Sequence, residues 1–95
     1  MTICVVTRII PEREMAQDIY NRPESACEKL LYWAKDAAYR ANFTLKEFDD
    51  FESNVRTNIY YGTNGEEKIF LIGDCTLYYK EFLIDDKTGS RMPPY

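Results

Sequence analysis

Acidic side chains are the groups in this chain whose type and spacing come nearest to catalytic or metal-binding chemistry. Asp49, Asp50 and Glu52 form one cluster, and Asp85 and Asp86 form a second. Adjacent carboxylates could hold Mg²⁺, because hard cations prefer oxygen ligands. Neither cluster has the alternating oxygen ligands of a calcium-binding loop, and both are typical of a solvated helix face or a turn. We therefore predict that the chain holds no metal ion and no cofactor.

The residues that most enzymes use for acid–base and nucleophilic chemistry are missing. The chain contains no histidine, which excludes Ser-His and Cys-His nucleophiles and histidine metal sites. Its glycines are scattered and form no phosphate-binding loop. Cys4, Cys27 and Cys75 lie far apart in apolar stretches, which indicates reduced, buried cysteines rather than disulfides. The chain is therefore predicted not to be an enzyme.

The composition is that of one small folded domain, residues 1–95, with 45% hydrophobic residues. The formal net charge of −4 argues against a nucleic-acid binder that follows phosphates, because such proteins carry a basic excess. No apolar run approaches the length of a membrane span. Together with reduced cysteines, these features predict a cytoplasmic protein without a membrane partner.

A strand and a short helix are predicted at the start of the chain. Residues 2–10 are β-branched and apolar on both faces, which is typical of a buried strand. Pro11 and the acidic residues that follow it suit the first turn of a helix. This pattern predicts a short helix over residues 12–20.

Helix-capping patterns mark two further helices. Asn21 and Ser25 each begin one of two overlapping capping boxes, so the long helix should start at one of them. The apolar stripe of this helix recurs at helical spacing: Cys27, Leu30, Leu31, Ala34, Ala38 and Ala41. A third capping box, from Thr44 to Glu47, predicts a short helix over residues 45–53.

Two turn signals within residues 55–84 predict three strands joined as a double hairpin. Asn64-Gly65 and Gly73-Asp74 each separate apolar runs, and both dipeptides favour two-residue hairpin loops. Loops of two residues set these strand partners: Ile59 with Phe70, Tyr61 with Lys68, Phe70 with Leu77, and Ile69 with Tyr78.

This register divides the side chains between two faces of the predicted sheet. The first face is the predicted core: Val55, Thr57, Ile59, Tyr61, Phe70, Ile72, Cys75, Leu77, Tyr79 and Leu83. The second face is mixed: it holds Glu67, Ile69, Leu71 and Thr76 together with the residues predicted to bind a partner, which are Arg56, Asn58, Tyr60, Tyr78, Lys80 and Phe82. An apolar centre with tyrosine and arginine is typical of protein-binding surfaces. Two alternatives stay open: the short helices could cover this face as a second core, or an uncovered face could join two copies as a homodimer.

The predicted fold is a two-layer α+β domain with the element order β-α-α-α-β-β-β. Its helices should pack mainly on one face of an antiparallel sheet. A turn at residues 86–89 could add a short extra strand over residues 90–92 at the C-terminal end.

A small acidic domain with these properties is predicted to be a non-catalytic protein–protein interaction domain. Its expected role is that of a stoichiometric inhibitor or adaptor acting through the tyrosine-rich sheet face. By analogy of size and character, viral or mobile-element inhibitors of host defence systems are one such class. The alternative is a single-stranded nucleic-acid-binding protein that stacks bases on the same aromatic face, against which the acidic charge argues.

Overall fold

The computed structural model describes residues 2–62 and 66–83, which form a four-stranded antiparallel sheet with two helices on one side. The elements in chain order are β1 (Thr2–Ile10), β2 (Glu14–Tyr20), α1 (Pro23–Arg40), α2 (Leu45–Tyr61), β3 (Lys68–Ile72) and β4 (Cys75–Leu83). The strands lie side by side in the order β2-β1-β4-β3. The predicted α+β class with an antiparallel sheet is confirmed. The predicted order of elements is wrong in two places, and residues 90–92 lie outside the described residues.

The first error concerns residues 12–20, which form strand β2 and not a helix. Pro11 and Glu12 occupy the two central positions of a tight turn, closed by the Arg13 N–H donating to the Ile10 carbonyl at 3.1 Å. Glu12 has a φ of 62°, as the third residue of a type II turn requires. The turn sends the chain back along β1, and backbone pairing with β1 decides the conformation of this segment.

Helix α1 has the predicted apolar stripe but an unexpected start. Pro23 takes the first helical position, which makes Arg22 the N-cap. Arg22 forms no side-chain cap, because a guanidinium has no acceptor for the free N–H groups of the first turn. Neither predicted capping box, at Asn21 or at Ser25, is therefore used. The helix ends in a Schellman motif, in which Asn42 has a φ of 59° and the Phe43 N–H donates to the carbonyl of residue 38 at 2.9 Å.

The second error concerns residues 55–61, which continue helix α2 and do not form the first strand of a double hairpin. The start of the helix is as predicted, because Thr44 Oγ1 accepts from the Glu47 N–H at 3.1 Å and the Glu47 carboxylate accepts from the Thr44 N–H at 2.8 Å. The helix then runs past residue 53 to Tyr61. The predicted pairs of Ile59 with Phe70 and Tyr61 with Lys68 are therefore wrong.

The second predicted hairpin is confirmed as β3–β4. Phe70 pairs with Leu77 and Ile69 pairs with Tyr78, as the two-residue loop requires. Gly73 has a φ of 60°, which suits the first central position of a type II′ turn. A Cβ atom at Gly73 would lie 3.3 Å from a backbone carbonyl of α1, so glycine also permits the close approach of helix and turn.

One hydrophobic core lies between the helices and one face of the sheet. The sheet contributes these buried residues to it: Cys4, Val6, Ile10, Phe70, Ile72, Cys75, Leu77 and Tyr79. Val55 and Ile59 are buried as predicted but enter the core from α2, whereas Tyr61, predicted to be buried, is 85% exposed. Among the described residues, neither helix is both long and apolar enough to cross a membrane.

Candidate functional site

The second face of the sheet, opposite the helices, is the candidate functional site. Side chains alternate between the two faces along each strand, and the strand register shows which ones share a face. We define the open sheet face by its residues: Ile3, Val5, Thr7, Ile9, Met15, Gln17, Ile19, Ile69, Leu71, Thr76, Tyr78, Lys80 and Phe82. All four strands contribute to it, so it extends across the full width of the sheet.

The open sheet face is apolar and uncovered by any described residue. At its two edges, Met15 and Ile19 of β2 are 68% and 64% exposed, and Leu71 of β3 is 72% exposed. Phe82 on the central strand β4 is 46% exposed. The side chains of β1 in the middle, such as Val5, are partly buried by their neighbours. Large apolar side chains contiguous in space and open to water mark an interaction surface.

Polar groups on the open sheet face are few, and two of them find partners within it. The Gln17 amide donates to Thr7 Oγ1 across the β2–β1 pair at 3.1 Å. The Lys80 ammonium lies 5.4 Å from the centroid of the Phe82 ring, which is cation–π range. Because these polar groups have partners within the face, a binding partner that displaces their water pays a smaller free-energy cost of desolvation.

The charge of the open sheet face differs from that of the rest of the chain. The chain carries a net charge of −4, yet the carboxylates of β2 and β4 fall on the helix side of the sheet. Glu14 and Asp18 pair with buried residues of β1, and so does Glu81. Among the described residues, Lys80 is therefore the single formal charge on the open sheet face.

The six residues predicted to bind a partner do not share one surface. Tyr78, Lys80 and Phe82 lie on the open sheet face as predicted. The other three residues lie on helix α2 in the opposite layer: Arg56, Asn58 and Tyr60. The prediction that all six share a face is wrong because residues 55–61 are helical. The face is accordingly rich in aliphatic side chains, with one tyrosine, and is not tyrosine-rich.

The three displaced residues have local structural partners. Arg56 binds the carboxylate of Glu52 at 2.8 Å within α2 and that of Glu28 at 3.0 Å on α1, so it joins the two helices. The hydrogen bond to Glu52, followed by the one to Glu28, raises the pKa of the guanidinium. Burial and the neighbouring Cys27 thiol raise the pKa of the Tyr60 phenol. Asn58 donates to the carbonyl of residue 54 at 2.8 Å, within its own helix. These contacts support the helix layer.

The acidic cluster on α2 is divided between local ion pairs. Asp50 binds Lys46 at 3.2 Å, and Glu52 binds Arg56. Within the part of the chain that the structure describes, no three acidic or cysteine side chains are placed to share a metal ion. The other predicted cluster, Asp85 and Asp86, lies outside that part.

Seven residues of the open sheet face lie on β1 and β2, the two strands to which the sequence pattern assigned no binding role. Four of them, Ile3 to Ile9, belong to β1, which is apolar on both faces and was predicted to be buried. The other three belong to β2: Met15, Gln17 and Ile19. The detectable signal was the alternation of Met15 and Ile19 with the helix-side residues Ala16 and Tyr20. Comparison of the chain with family models, curated proteins and solved structures finds no match in any of the three.

Proposed function

We propose that this chain is a protein-interaction domain that binds a partner protein through the open sheet face. The observation that carries the proposal is an apolar surface of the sheet that no described residue covers, since both described helices pack on the other side. Removing Leu71, Ile19 and Met15 from water is favourable, by about 25 cal/mol for every Å² of apolar surface buried. A partner protein that covers the face supplies this burial.

The size of the face supports a protein partner. The five most exposed apolar side chains, Met15, Ile19, Ile69, Leu71 and Phe82, together present roughly 600 Å², the upper end for the largest apolar patch of a typical monomer. The half-buried residues between them add to this area. One side of a standard protein–protein interface buries about 800 Å², so the face is large enough for a specific complex.

The side-chain chemistry of the face supports a protein whose function is to bind its partner. Its side chains are aliphatic or aromatic, with Thr7, Gln17 and Thr76 as polar contacts and Lys80 as one cation. One ammonium is too little to follow a nucleic-acid backbone, which needs several cations. Binding that depends on apolar contact suits a stoichiometric inhibitor or adaptor, which acts by occupying its partner.

A matched pair of leucine substitutions tests the proposal. Leu71→Asp puts a carboxylate on the open sheet face, and Leu45→Asp puts the same group on the exposed start of α2, where Leu45 is 85% exposed. Tagged wild-type and variant chains are used to capture partners from the cells that naturally make this protein. We expect wild type and Leu45→Asp to retain the same protein and Leu71→Asp to lose it, because the partner would have to bury the new charge.

Circular dichroism in the near ultraviolet shows whether both variants keep the native fold. Equal capture by all three chains, or equal loss in both variants, would contradict the proposal. The first outcome would place the binding surface elsewhere, and the second would mean that capture depends on general charge rather than on the open sheet face.

A further inference from the structure

We infer that a second copy of this chain covers the open sheet face in solution, so that two sheets stack face to face in a symmetric dimer. The inference rests on the proposed function, since it requires that the open sheet face binds protein, and it names the protein bound when no other partner is present. A different partner would then reach the face only by displacing the second copy.

The area of the face meets the requirement of a dimer. In a two-fold symmetric dimer the same patch is buried on both copies. Self-association through the open sheet face would bury on the order of 1,200–1,600 Å² in total, which is the range of a standard stable interface. A smaller patch, such as one edge strand alone, would fall below that range.

The shape of the face is complementary to itself. Sheets twist with one hand, so two copies of the same sheet stack about 10 Å apart with their strands rotated by about 30°. The four antiparallel strands present alternating inward side chains of the kind that fill a sandwich core, with Ile9, Met15 and Leu71 at one end. At the other end lie Ile3, Ile19 and Phe82. Both ends of the face are therefore apolar, as stacking on a rotated copy requires.

Charge favours this face over the other described surfaces for contact between two acidic chains. The open sheet face carries no carboxylate among its described residues, so two copies approach through it with the least repulsion. The acidic start of α2, including Glu47, Asp49 and Asp50, lies in the helix layer. In the dimer the two helix layers point outward, which keeps these carboxylates apart and in water.

The polar groups of the face are compatible with a covered sheet. Gln17 already donates to Thr7 across the strands at 3.1 Å. The Lys80 ammonium lies beside Phe82, whose strand neighbour Ile3 is near the beginning of β1. Lys80 itself pairs with Val5 of β1, so its methylenes lie within the face, and its long side chain carries the ammonium towards Phe82 at the end of the sheet. The ammonium therefore keeps the Phe82 ring as a partner when a second copy covers the face.

Sedimentation equilibrium from low micromolar to several hundred micromolar protein tests the inference. We expect the wild-type chain and Leu45→Asp to form dimers with the same dissociation constant. Leu71→Asp on β3 and Ile19→Asp on β2 should each raise that constant by about 100-fold, because the dimer buries two copies of each new carboxylate. The two substitutions lie on opposite edges of the face, so one of them still tests the dimer if the other prevents folding. Near-ultraviolet circular dichroism shows whether each variant is folded.

A wild-type chain that stays monomeric throughout this range overturns the inference, as does a dimer that survives both face substitutions. The capture experiment separates this failure from failure of the proposed function. If the wild-type chain is monomeric but Leu71→Asp still abolishes partner capture, the proposed function holds and the dimer does not. If Leu71→Asp weakens the dimer but leaves partner capture unaffected, the dimer holds. The partner protein then binds at another surface.

Discussion

Two leucines of the β3–β4 hairpin show how residue position decides the role of a side chain. Leu77 on β4 points into the core and is fully buried, whereas Leu71 on β3 points to the open sheet face and is 72% exposed. Their sequence environments are similar, since each stands in an apolar strand beside a turn. The hairpin register places the two leucines on opposite faces of the sheet, and the helices cover the face of Leu77.

This difference predicts unequal costs for the same truncation. Leu77→Ala should lower the free energy of unfolding by about 2–5 kcal/mol, because it leaves a cavity in a packed core. Leu71→Ala should change it by less than about 0.5 kcal/mol, because the exposed side chain loses little contact. Urea unfolding at the lowest workable protein concentration, which limits self-association, measures both values. Equal costs would mean that the two faces of the sheet are assigned wrongly.

The buried thiols and one buried phenol predict a loss of stability in alkali. Burial raises the pKa of the Cys4, Cys27 and Cys75 thiols above the ordinary value of 9.0. Burial, and to a smaller extent the hydrogen bond to the Cys4 thiol, raises the pKa of the Tyr79 phenol above 10.0. The folded state keeps these protons where the unfolded chain releases them. The stabilisation is therefore complete below about pH 9 and is lost progressively as the pH rises above the unfolded values.

Urea unfolding in a series of buffers between neutral pH and about pH 10.5 tests this dependence. Tyr79→Phe and Cys4→Ala should each flatten the fall in unfolding free energy, since each removes one titrating group. Leu45→Ala, which removes an 85% exposed side chain without an ionisable group, serves as the control and should leave the slope unchanged. An unfolding free energy that stays constant up to pH 10.5 would contradict the assignment.

At the scale of elements, local signals predicted what local contacts determine. The Thr44–Glu47 capping box and the Gly73-Asp74 turn are formed by residues adjacent in sequence, and both are found as predicted. The apolar stripe of α1 was also readable, since its helical spacing extends over several turns. The same local signals place the β4 residues Tyr78, Lys80 and Phe82 together on one face of the sheet, as the structure shows.

The segments that were predicted wrongly have patterns that fit two conformations. Val55 and Ile59 are four residues apart, which suits a buried helix face and also one face of a strand. In α2 they continue the spacing of Phe48 and Phe51, so four apolar side chains form one stripe against the core, two of them buried and the two phenylalanines partly buried. Met15 and Ile19 have the same spacing but lie on a strand, because the free edge of β1 supplies backbone hydrogen bonds there. Contacts between segments far apart in the chain decided the conformation in both cases, and such contacts are not visible in a single sequence.

The β1–β2 turn carries an element-scale prediction. Glu12 has a φ of 62°, a left-handed conformation that disfavours residues with a side chain by about 1 kcal/mol. Glu12→Gly should therefore raise the free energy of unfolding by about 0.5–1 kcal/mol. Arg13→Gly, one residue further on, has no positive φ to relieve and should give no gain. Urea unfolding compares the two, and destabilisation by Glu12→Gly would contradict the turn.

At the scale of the whole molecule, the proposed function rests on an imbalance between the two sides of the sheet. Both helices lie on one side, where they enclose the core. The sheet has apolar side chains on both sides, and none of the described elements covers the second side. Whether a short helix would cover this surface was open in the sequence, because helix placement depends on topology. The extension of α2 to Tyr61 and the conversion of residues 12–20 into β2 leave the described helices on the first side.

Hydroxyl-radical footprinting read out by mass spectrometry tests most directly whether the open sheet face is the binding surface. The label is applied to the free chain at low concentration and to the complex recovered by partner capture. We predict that Met15, Ile19 and Leu71 are labelled readily in the free chain and are protected in the complex. Tyr39 and Leu45 in the helix layer should be labelled equally in both. Protection of the helix layer with continued labelling of Met15 and Leu71 would contradict the account.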